Sequence, residues 1–216
     1  MPREKLADKI ARTRKIIRLL SMHYPDADCT LNFKTAHQLM VATILSAQCT
    51  DKRVNRVTPG LFRKYRSVTD FAEVELIDLA VDIRSTGFFN SKARFIKTSA
   101  QQLLARHGGK MPETLPELIK LTGIGRKTAS VILGAAYGLA EGIVVDTHVG
   151  RISRRLKLTV RKDPVGVECD LMKIIPEKDW IVFSHLLIYH GREICLARSP
   201  ACESCFLGGL CPSSTT

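Results

Sequence analysis

The sequence lacks an apolar run long enough to cross a membrane. A spanning helix needs roughly 18 to 20 consecutive apolar residues, and the nearest candidate, residues 128–145, is interrupted by glycines and by Glu141. The first twenty residues are rich in Lys and Arg, but Glu4 and Asp8 interrupt them and no continuous apolar stretch follows. They therefore match neither a secretory signal nor a mitochondrial presequence. We expect a protein of a reducing cytoplasmic compartment that does not bind membranes.

Acidic residues are scarce relative to basic ones. The chain has 33 Lys and Arg against 21 Asp and Glu, which leaves a net charge of +12. Such a surplus favours a polyanionic partner such as nucleic acid, because each neutralised phosphate releases counterions. A basic protein that is merely soluble has the same composition, so charge alone does not identify the partner. With 45% apolar and 25% charged residues, the chain has the composition of a folded protein rather than a disordered one.

Strand signals are almost absent as well. Only residues 142–145 read like a strand, and four residues do not form a sheet; no internal repeat or low-complexity tract is found. Helical periodicity predicts an all-α fold in which residues 33–47 form a buried central helix. Turn residues at 58–60 suggest a helix end there. The other predicted helices cover residues 1–20, 52–64, 69–83, 91–107, 115–121, 126–137, 147–156, 164–175 and 180–195.

Four of the seven cysteines lie close together near the end of the chain. Their spacing is C-x6-C-x2-C-x5-C, formed by Cys195, Cys202, Cys205 and Cys211. Four thiolates select Zn²⁺ or an iron–sulfur cluster, and a reducing compartment disfavours two disulfides. Zinc sites usually combine two separate cysteine pairs, whereas here one pair lies between two longer arms; a [4Fe–4S] cluster fits better, with zinc as the alternative. The isolated cysteines are predicted to be packing residues: Cys29, Cys49 and Cys169.

The segment between the first two of these four cysteines must loop out. It spans residues 196–201 and carries Arg198. A cluster without a redox role could present this loop to a phosphate backbone. Arg198 is therefore either a DNA contact or an ordinary exposed residue.

A glycine-rich turn separates two predicted helices at residues 121–128. Gly123 and Gly125 alternate with Ile124, which permits a tight turn with outward-facing amides. Together with the start of the next helix, these amides form an anion site suited to a DNA phosphate. Ile124 would pack the two helices together. The pattern G-x-G alone is weak support, and the basic residue Arg126 that follows strengthens it.

Two residues have the chemistry of a catalytic pair. Lys127 would lie in the first turn of the second helix, where the helix dipole and Arg126 disfavour a positive charge. An amine that is neutral part of the time can attack carbon and form a Schiff base; a solvated or phosphate-contacting lysine is the alternative. Asp146 ends an apolar run at a helix start, which predicts an N-cap. A carboxylate held there could also act as a general base.

Several motifs occur in the same order as in the endonuclease III family, and together they resemble that family. They are LSAQCTD at 45–51, GFFNSKA at 87–93, LTGIGRKTA at 121–129, VDTHV at 145–149, HGR at 190–192 and the four-cysteine spacing. The resemblance runs from about residue 30 to Cys211 and covers nearly the whole chain. It implies a bifunctional DNA glycosylase and abasic-site lyase that removes oxidised pyrimidines by base excision repair.

The resemblance also implies an architecture and a partner. Residues 28–139 would form a six-helix domain containing a helix–hairpin–helix. Residues 1–27 and 140–216 would form a discontinuous domain that holds the [4Fe–4S] cluster, with a DNA-binding cleft between the two domains. The expected partner is double-stranded DNA with a damaged pyrimidine or an abasic site, bound by a monomer at the nucleoid.

The resemblance assigns roles to individual residues. Lys127 stands where the family keeps its Schiff-base nucleophile, and Asp146 where it keeps its catalytic carboxylate. Gln48 would fill the space of the flipped nucleotide and Phe88 would be the wedge pushed into the duplex. The family more often has an aliphatic residue at this wedge position, and Phe88 and Phe89 could instead both be core residues. The remaining expected DNA contacts are Gly123, Gly125, Arg126, His148 and Arg198.

Two other kinds of protein stay open at this point. Adenine-mismatch glycosylases resemble the chain in hairpin, aspartate and cluster, but they lack the nucleophilic lysine and normally carry a further carboxy-terminal domain. Here Lys127 is present and the sequence stops five residues after Cys211. The second kind is a DNA-binding or scaffold protein of the same fold without catalysis. The intact pair of Lys127 and Asp146 counts against it.

Overall fold

The computed structural model describes residues 4–215, and every regular element within them is helical, which confirms the all-α prediction. Residues 1–3 and 216, which the predicted domains include, lie outside the described residues. The α-helices are α1 (Leu6–His23), α2 (Ala36–Ser46), α3 (Asp51–Lys64), α4 (Val68–Glu73), α5 (Leu76–Asp82), α6 (Phe89–His107), α7 (Leu115–Leu118), α8 (Arg126–Tyr137), α9 (Thr147–Arg155), α10 (Pro164–Met172) and α11 (Trp180–Glu193). Short 3₁₀ turns cover Arg84–Thr86, Glu177–Asp179, Cys202–Ser204 and Gly208–Leu210.

The chain divides into two compact units, and the first of them is Cys29–Leu139. It is built around α2, whose Leu39, Met40 and Leu45 are fully buried. The helix contacts α3, α6 and α8. Because α2 is surrounded on several sides, it is apolar on most of its faces, and the prediction of a buried central helix is confirmed.

The second unit combines both ends of the chain, Met1–Asp28 and Ala140–Thr216. Its core receives Ile16 and Leu20 from α1 and Phe183 and Leu187 from α11, all fully buried. Helix α11 also contacts α9. A helix near the start of the chain is thus part of the same core as the cysteine-rich end.

The segment predicted as one helix over residues 69–83 forms two helices, so that prediction is wrong. A capping box of Ser67 and Asp70 begins α4, and the extended backbone of Val74 ends it before α5 starts. The carbonyl of Val74, released from helical bonding, accepts a hydrogen bond of 2.8 Å from Lys97 of α6. Both short helices contact α6, and the hydrogen bond from Lys97 holds the Val74 carbonyl at the junction between them.

The turn residues at 58–60 do not end a helix. Pro59 lies inside α3, which continues to Lys64. A proline inside a helix removes one hydrogen bond. The buried face formed by Val54, Thr58 and Leu61 holds the helix together regardless. Residues 142–145 are not assigned as a strand, and no helix within residues 4–215 is long and apolar enough to cross a membrane.

Candidate functional site

The glycine-rich turn lies immediately before α8 and is held by apolar and polar contacts. Ile124 is buried in the same core as Leu121, and its amide donates to the Leu121 carbonyl at 3.1 Å. The amide of Thr122 donates to Oε1 of Gln102 on α6 at 2.8 Å. The predicted packing role of Ile124 is therefore confirmed, and α6 fixes the turn from one side.

The two glycines of the turn are present for different reasons. Gly123 has a φ of +83°, and a Cβ there would lie 2.9 Å from Cβ of Phe95, so both its backbone and its neighbour require glycine. Gly125 has an ordinary φ of −89°, and no atom lies within 4 Å of a Cβ built on it. The fold itself does not require glycine at position 125. This position leaves room for a group that approaches from outside the protein.

Helix α8 begins as an anion-binding helix would. Its N-cap is Gly125, and no side chain caps it. The first amides of a helix have no partner within the helix and carry the positive end of its dipole. Arg126 and Lys127 are the first two residues of α8, and both are exposed. Lys127 is therefore accessible beside the positive end of the helix dipole.

Asp146 is the N-cap of α9, as predicted. Its Oδ1 accepts hydrogen bonds of 2.8 Å from the amides of His148 and Val149, and its Oδ2 accepts one of 3.0 Å from Nδ1 of His148. The Asp146 side chain is 18% exposed. These bonds hold the carboxylate rigidly while part of it stays accessible.

Gly191 supports His148 from the neighbouring helix α11. A Cβ at Gly191 would lie 2.8 Å from Cδ2 of His148 and 2.8 Å from Cδ1 of Ile152. The glycine of the HGR motif thus allows α9 and α11 to approach closely at the turn that Asp146 caps. No role for Gly191 could be predicted from the sequence, because its neighbours His148 and Ile152 lie 43 and 39 positions away along the chain.

The four carboxy-terminal cysteines line one cavity of about 70 Å³, together with residues from α9 and α11. Within residues 4–215, no three His, Cys, Asp or Glu side chains are grouped closely enough to hold a single metal ion. Burial raises the pKa of the Cys205 thiol, and the other three cysteines also raise it. Four sulfurs arranged around a common space fit a multi-iron cluster, whose positive iron ions stabilise them as thiolates.

Two side chains that the sequence analysis missed lie against these cysteines. The guanidinium of Arg155 donates to Sγ of Cys195 at 3.2 Å, to the Leu196 carbonyl at 2.6 Å and to the Ala197 carbonyl at 2.8 Å. On another side, Nε2 of the buried His190 lies 3.7 Å from Sγ of Cys205. Arg155 stands in a run of basic residues, so its sequence context gave no sign of this structural role.

Gln48 and Phe88 are exposed residues with left-handed backbones in the unit Cys29–Leu139. Their φ angles are +52° and +48°. Phe88 is 65% exposed, whereas Phe89 packs against the core. The alternative that both phenylalanines are core residues is therefore wrong for Phe88. Arg198 is also exposed, in the loop that Arg155 anchors.

The isolated cysteines differ from one another. Cys29 and Cys49 are half-buried against the core of the first unit, as expected for packing residues. Cys169 is exposed on α10, so its predicted packing role is wrong. Helical periodicity alone did not show that position 169 points outward.

Comparison with known proteins identifies the class. Residues 41–177 match the family described as HhH-GPD superfamily base excision DNA repair protein, and residues 195–211 match the iron-sulfur binding domain of endonuclease III. The fold and site therefore define a base-excision DNA glycosylase. The chain is 47% identical over 210 residues to endonuclease III of Synechocystis sp., a match that covers 97% of this chain and 96% of that protein. The chain belongs to the endonuclease III family, the DNA glycosylases and abasic-site lyases that carry a [4Fe–4S] cluster.

Solved structures agree with this assignment. A non-covalent endonuclease III–DNA complex is similar to this chain with a TM-score of 0.89 and 42% identity, covering 95% of this chain and 96% of that one. A trapped endonuclease III–DNA covalent intermediate, in an estranged-adenine complex, matches with the same figures. These neighbours support DNA as the partner of this chain.

Proposed function

We propose that the protein removes oxidised pyrimidines from duplex DNA and then cleaves the resulting abasic site through a Schiff base on Lys127. The observation that carries this proposal is the position of Lys127, an exposed amine on the first turn of α8, directly after the glycine-rich turn. An anchored phosphate at this turn would bring the sugar of a neighbouring nucleotide within reach of the amine. The trapped covalent intermediate of a relative supports the same chemistry.

Lys127 is the proposed nucleophile. The lone pair of its Nζ attacks C1′ of the flipped nucleotide, the bond from C1′ to the base breaks, and the base leaves with a proton. Opening of the sugar ring gives an imine between Nζ and C1′. The imine acidifies the hydrogen on C2′, whose removal breaks the C3′–O bond and releases the 3′ strand. Water then hydrolyses the imine and frees Lys127.

Asp146 is the proposed general base and cation stabiliser. Its carboxylate accepts three hydrogen bonds that fix its position, and the remaining accessible part can face a substrate. The negative charge would stabilise the cationic sugar as the base departs and accept the proton from the incoming amine. The mechanism requires that Asp146 and Lys127 act on the same nucleotide.

The proposed DNA contacts follow from exposure and chemistry. The turn glycines Gly123 and Gly125 with Arg126 hold a phosphate, while Gln48 and Phe88 enter the stack where the nucleotide has left it. Damaged pyrimidines stack and pair poorly, which lowers the cost of flipping and contributes selectivity. His148 and Arg198 are the remaining proposed contacts. The substrate is genomic DNA, so we place a monomeric enzyme at the nucleoid in the cytoplasm.

The cluster has a structural role in this proposal. Its proposed ligands are the cysteines that line the common cavity: Cys195, Cys202, Cys205 and Cys211. A bound cluster supplies four iron–sulfur bonds that fix the chain between residues 195 and 211. The segment fixed in this way then presents the loop with Arg198 to the phosphate backbone of DNA.

Borohydride trapping tests the proposal. Cluster-loaded protein is mixed with duplex DNA containing either an abasic site or thymine glycol, and borohydride reduces any imine to a stable adduct. We expect adducts with both DNAs from the wild-type protein and none from Lys127→Ala. Lys120→Ala is the matched control, because Lys120 is an exposed lysine seven residues away that pairs with Glu117 at 2.6 Å. An adduct that persists in Lys127→Ala would overturn the assignment of the nucleophile, and no adduct with thymine glycol would overturn the substrate class.

A further inference from the structure

Lys92 is a buried lysine on the first turn of α6. The residue is only 3% exposed. Its Nζ donates hydrogen bonds of 2.8 Å to two backbone carbonyls, that of Leu45 and that of Thr86. Burying an amine is costly unless its hydrogens are bonded. These two bonds are therefore the reason that a lysine can stand at this position.

The two carbonyls belong to the two segments that carry the proposed insertion residues. Leu45 is in the last turn of α2, and Gln48 follows it by three residues; Thr86 ends a 3₁₀ turn, and Phe88 follows it by two. Carbonyls in the last turn of a helix lack partners within the helix and favour a nearby cation. One amine thus joins segments that are about 40 residues apart in the sequence.

Both insertion residues need outside support for their backbones. Gln48 has a φ of +52° and Phe88 a φ of +48°, the left-handed conformation that residues with a Cβ rarely adopt. Such conformations persist where the surrounding structure holds them, and they are common at functional sites. The Phe88 carbonyl also accepts a hydrogen bond of 3.0 Å from the amide of Lys92. Lys92 therefore contacts the Phe88 segment through its backbone and its side chain.

We propose that Lys92 is a positioning residue that holds Gln48 and Phe88 in the conformations in which they enter the DNA duplex. This inference rests on the insertion role proposed for those two residues. A methionine at position 92 would fill nearly the same space but would leave both carbonyls without a donor. Burial lowers the pKa of Lys92, and the nearby Cys49 opposes that shift.

The first experiment measures insertion directly and does not depend on catalysis. The probe is a duplex with a tetrahydrofuran abasic analogue, which the enzyme cannot cleave, and 2-aminopurine as the base opposite it. Insertion of Gln48 and Phe88 unstacks the 2-aminopurine and raises its fluorescence. We expect Lys92→Met to lose most of this increase at saturating protein and to bind the duplex about tenfold more weakly.

Lys97→Met is the matched control. Lys97 lies on the same helix, and its Nζ also donates to a backbone carbonyl, that of Val74, at 2.8 Å. Its bond holds the junction of α4 and α5 rather than an insertion segment. We expect Lys97→Met to change fluorescence and affinity by less than about twofold, and to lose less stability than Lys92→Met because it breaks one carbonyl hydrogen bond of a half-buried amine instead of two of a buried one. Equal fluorescence losses in both variants would overturn the proposal, because they would indicate a general effect on the fold.

A double-mutant cycle separates positioning from a merely structural role. Lys92→Met is combined with the double variant Gln48→Ala, Phe88→Ala. If Lys92 acts through these side chains, adding Lys92→Met to the double variant changes the affinity by less than about twofold, whereas independent effects multiply. Multiplied effects overturn the positioning role. If the Gln48→Ala, Phe88→Ala variant gives wild-type fluorescence, these two side chains do not enter the duplex. Only this result would also contradict the DNA contacts given under the proposed function.

If Lys92→Met does not fold, Lys92→Gln is a second variant that tests the same proposal. Lys92→Gln keeps N–H donors, but its side chain is one atom shorter and cannot bridge both carbonyls. We expect at least a threefold loss of the 2-aminopurine signal. Wild-type fluorescence from folded Lys92→Gln would overturn the proposal.

Discussion

His148 donates a hydrogen bond from Nδ1 to the carboxylate of Asp146, 3.0 Å away, at the start of the helix that Asp146 caps. The carboxylate is therefore held by the side chain of His148 as well as by two backbone amides. A cap of this kind stabilises the helix, and the same bonds fix the direction in which the free lone pairs of the carboxylate point. The side chain of Asp146 therefore both stabilises the start of α9 and is itself held in place as the proposed base.

Replacing Asp146 separates these two roles. Asparagine caps helices as well as aspartate does, so Asp146→Asn should change the free energy of unfolding by less than about 1 kcal/mol. The loss of the carboxylate charge should lower the single-turnover rate of base removal by at least about 100-fold. Asp146→Ala is the comparison, because it also removes the cap and should cost about 0.5 to 2 kcal/mol. Thermal unfolding and single-turnover kinetics measure both effects; a fully active Asp146→Asn would disprove the catalytic assignment.

The two glycines of the turn should respond differently to alanine. Gly123→Ala meets both a positive φ and the side chain of Phe95 and should destabilise the protein by about 1 to 3 kcal/mol. Gly125→Ala has room in the free protein and should cost only the ordinary penalty of alanine at an N-cap, about 1 kcal/mol. Its Cβ should nevertheless weaken binding to a tetrahydrofuran duplex by about tenfold, because a phosphate must approach closely there. Unchanged affinity in Gly125→Ala would show that no phosphate lies at this turn.

Gly191→Ala should damage the site through His148, although Gly191 is not itself one of the proposed substrate contacts. The new Cβ would press on His148 and Ile152 from 2.8 Å, so α9 and α11 must separate slightly. We expect a loss of about 1 to 3 kcal/mol in stability and a lower single-turnover rate because the carboxylate of Asp146 loses its alignment. Gly209→Ala is a matched control, since nothing lies within 4 Å of a Cβ at that position. Wild-type kinetics in Gly191→Ala would show that His148 does not need to be held.

His37 should make the stability depend on pH. Burial lowers its pKa from 6.5 to about 4 in the folded state, so the unfolded chain binds the proton more readily between these values. Above about pH 6.5, His37 is neutral in both states and does not reduce the free energy of unfolding. As the pH falls towards 4, protonation of the unfolded chain reduces the free energy of unfolding by up to about 3 kcal/mol. His37→Phe keeps the aromatic contact with Phe71 and should lose less stability over that range. Urea unfolding of both proteins at pH 7 and pH 4.5 measures the difference; parallel losses would exclude His37 as the cause.

Arg155 should determine how firmly the cluster is held. Arg155→Gln removes the donors to Sγ of Cys195 and to the carbonyls of the loop, so chelator should strip iron several-fold faster. Arg154→Gln is the control, because the guanidinium of Arg154 lies near Gly150 instead. Iron content and visible absorbance after incubation with chelator give the rates. Equal rates in the two variants would rule out an anchoring role for Arg155.

Local signals were sufficient for part of the fold and of the site. Gly125 and Gly138 flank α8, and the apolar spacing between them is helical, so its bounds at Arg126 and Tyr137 could be predicted. The N-cap of Asp146 and the grouping of the four cysteines likewise depend on short stretches of sequence. These features are visible in the sequence because the interactions that create them join residues that are close along the chain.

Other features depend on contacts between distant residues. The break at Val74 is stabilised by Lys97, and Pro59 stays inside α3 because one face of that helix is buried. No individual role could be predicted for Arg155 or for Lys92, and only the folded chain brings carbonyl oxygens to them. Sequence patterns describe the neighbourhood along the chain, whereas these roles are set by packing.

The second unit is built from two segments that are far apart in the sequence, and this affects how the protein folds during synthesis on the ribosome. Helix α1 emerges first, yet its buried Ile16 and Leu20 belong to a core that also needs Phe183 and Leu187. At 5–20 residues per second, α1 waits on the order of ten seconds for these partners, while the unit Cys29–Leu139 is already complete. During this interval the apolar face of α1 is exposed to other nascent chains and to chaperones. The order of translation therefore makes the unit with the cysteines fold after the unit Cys29–Leu139.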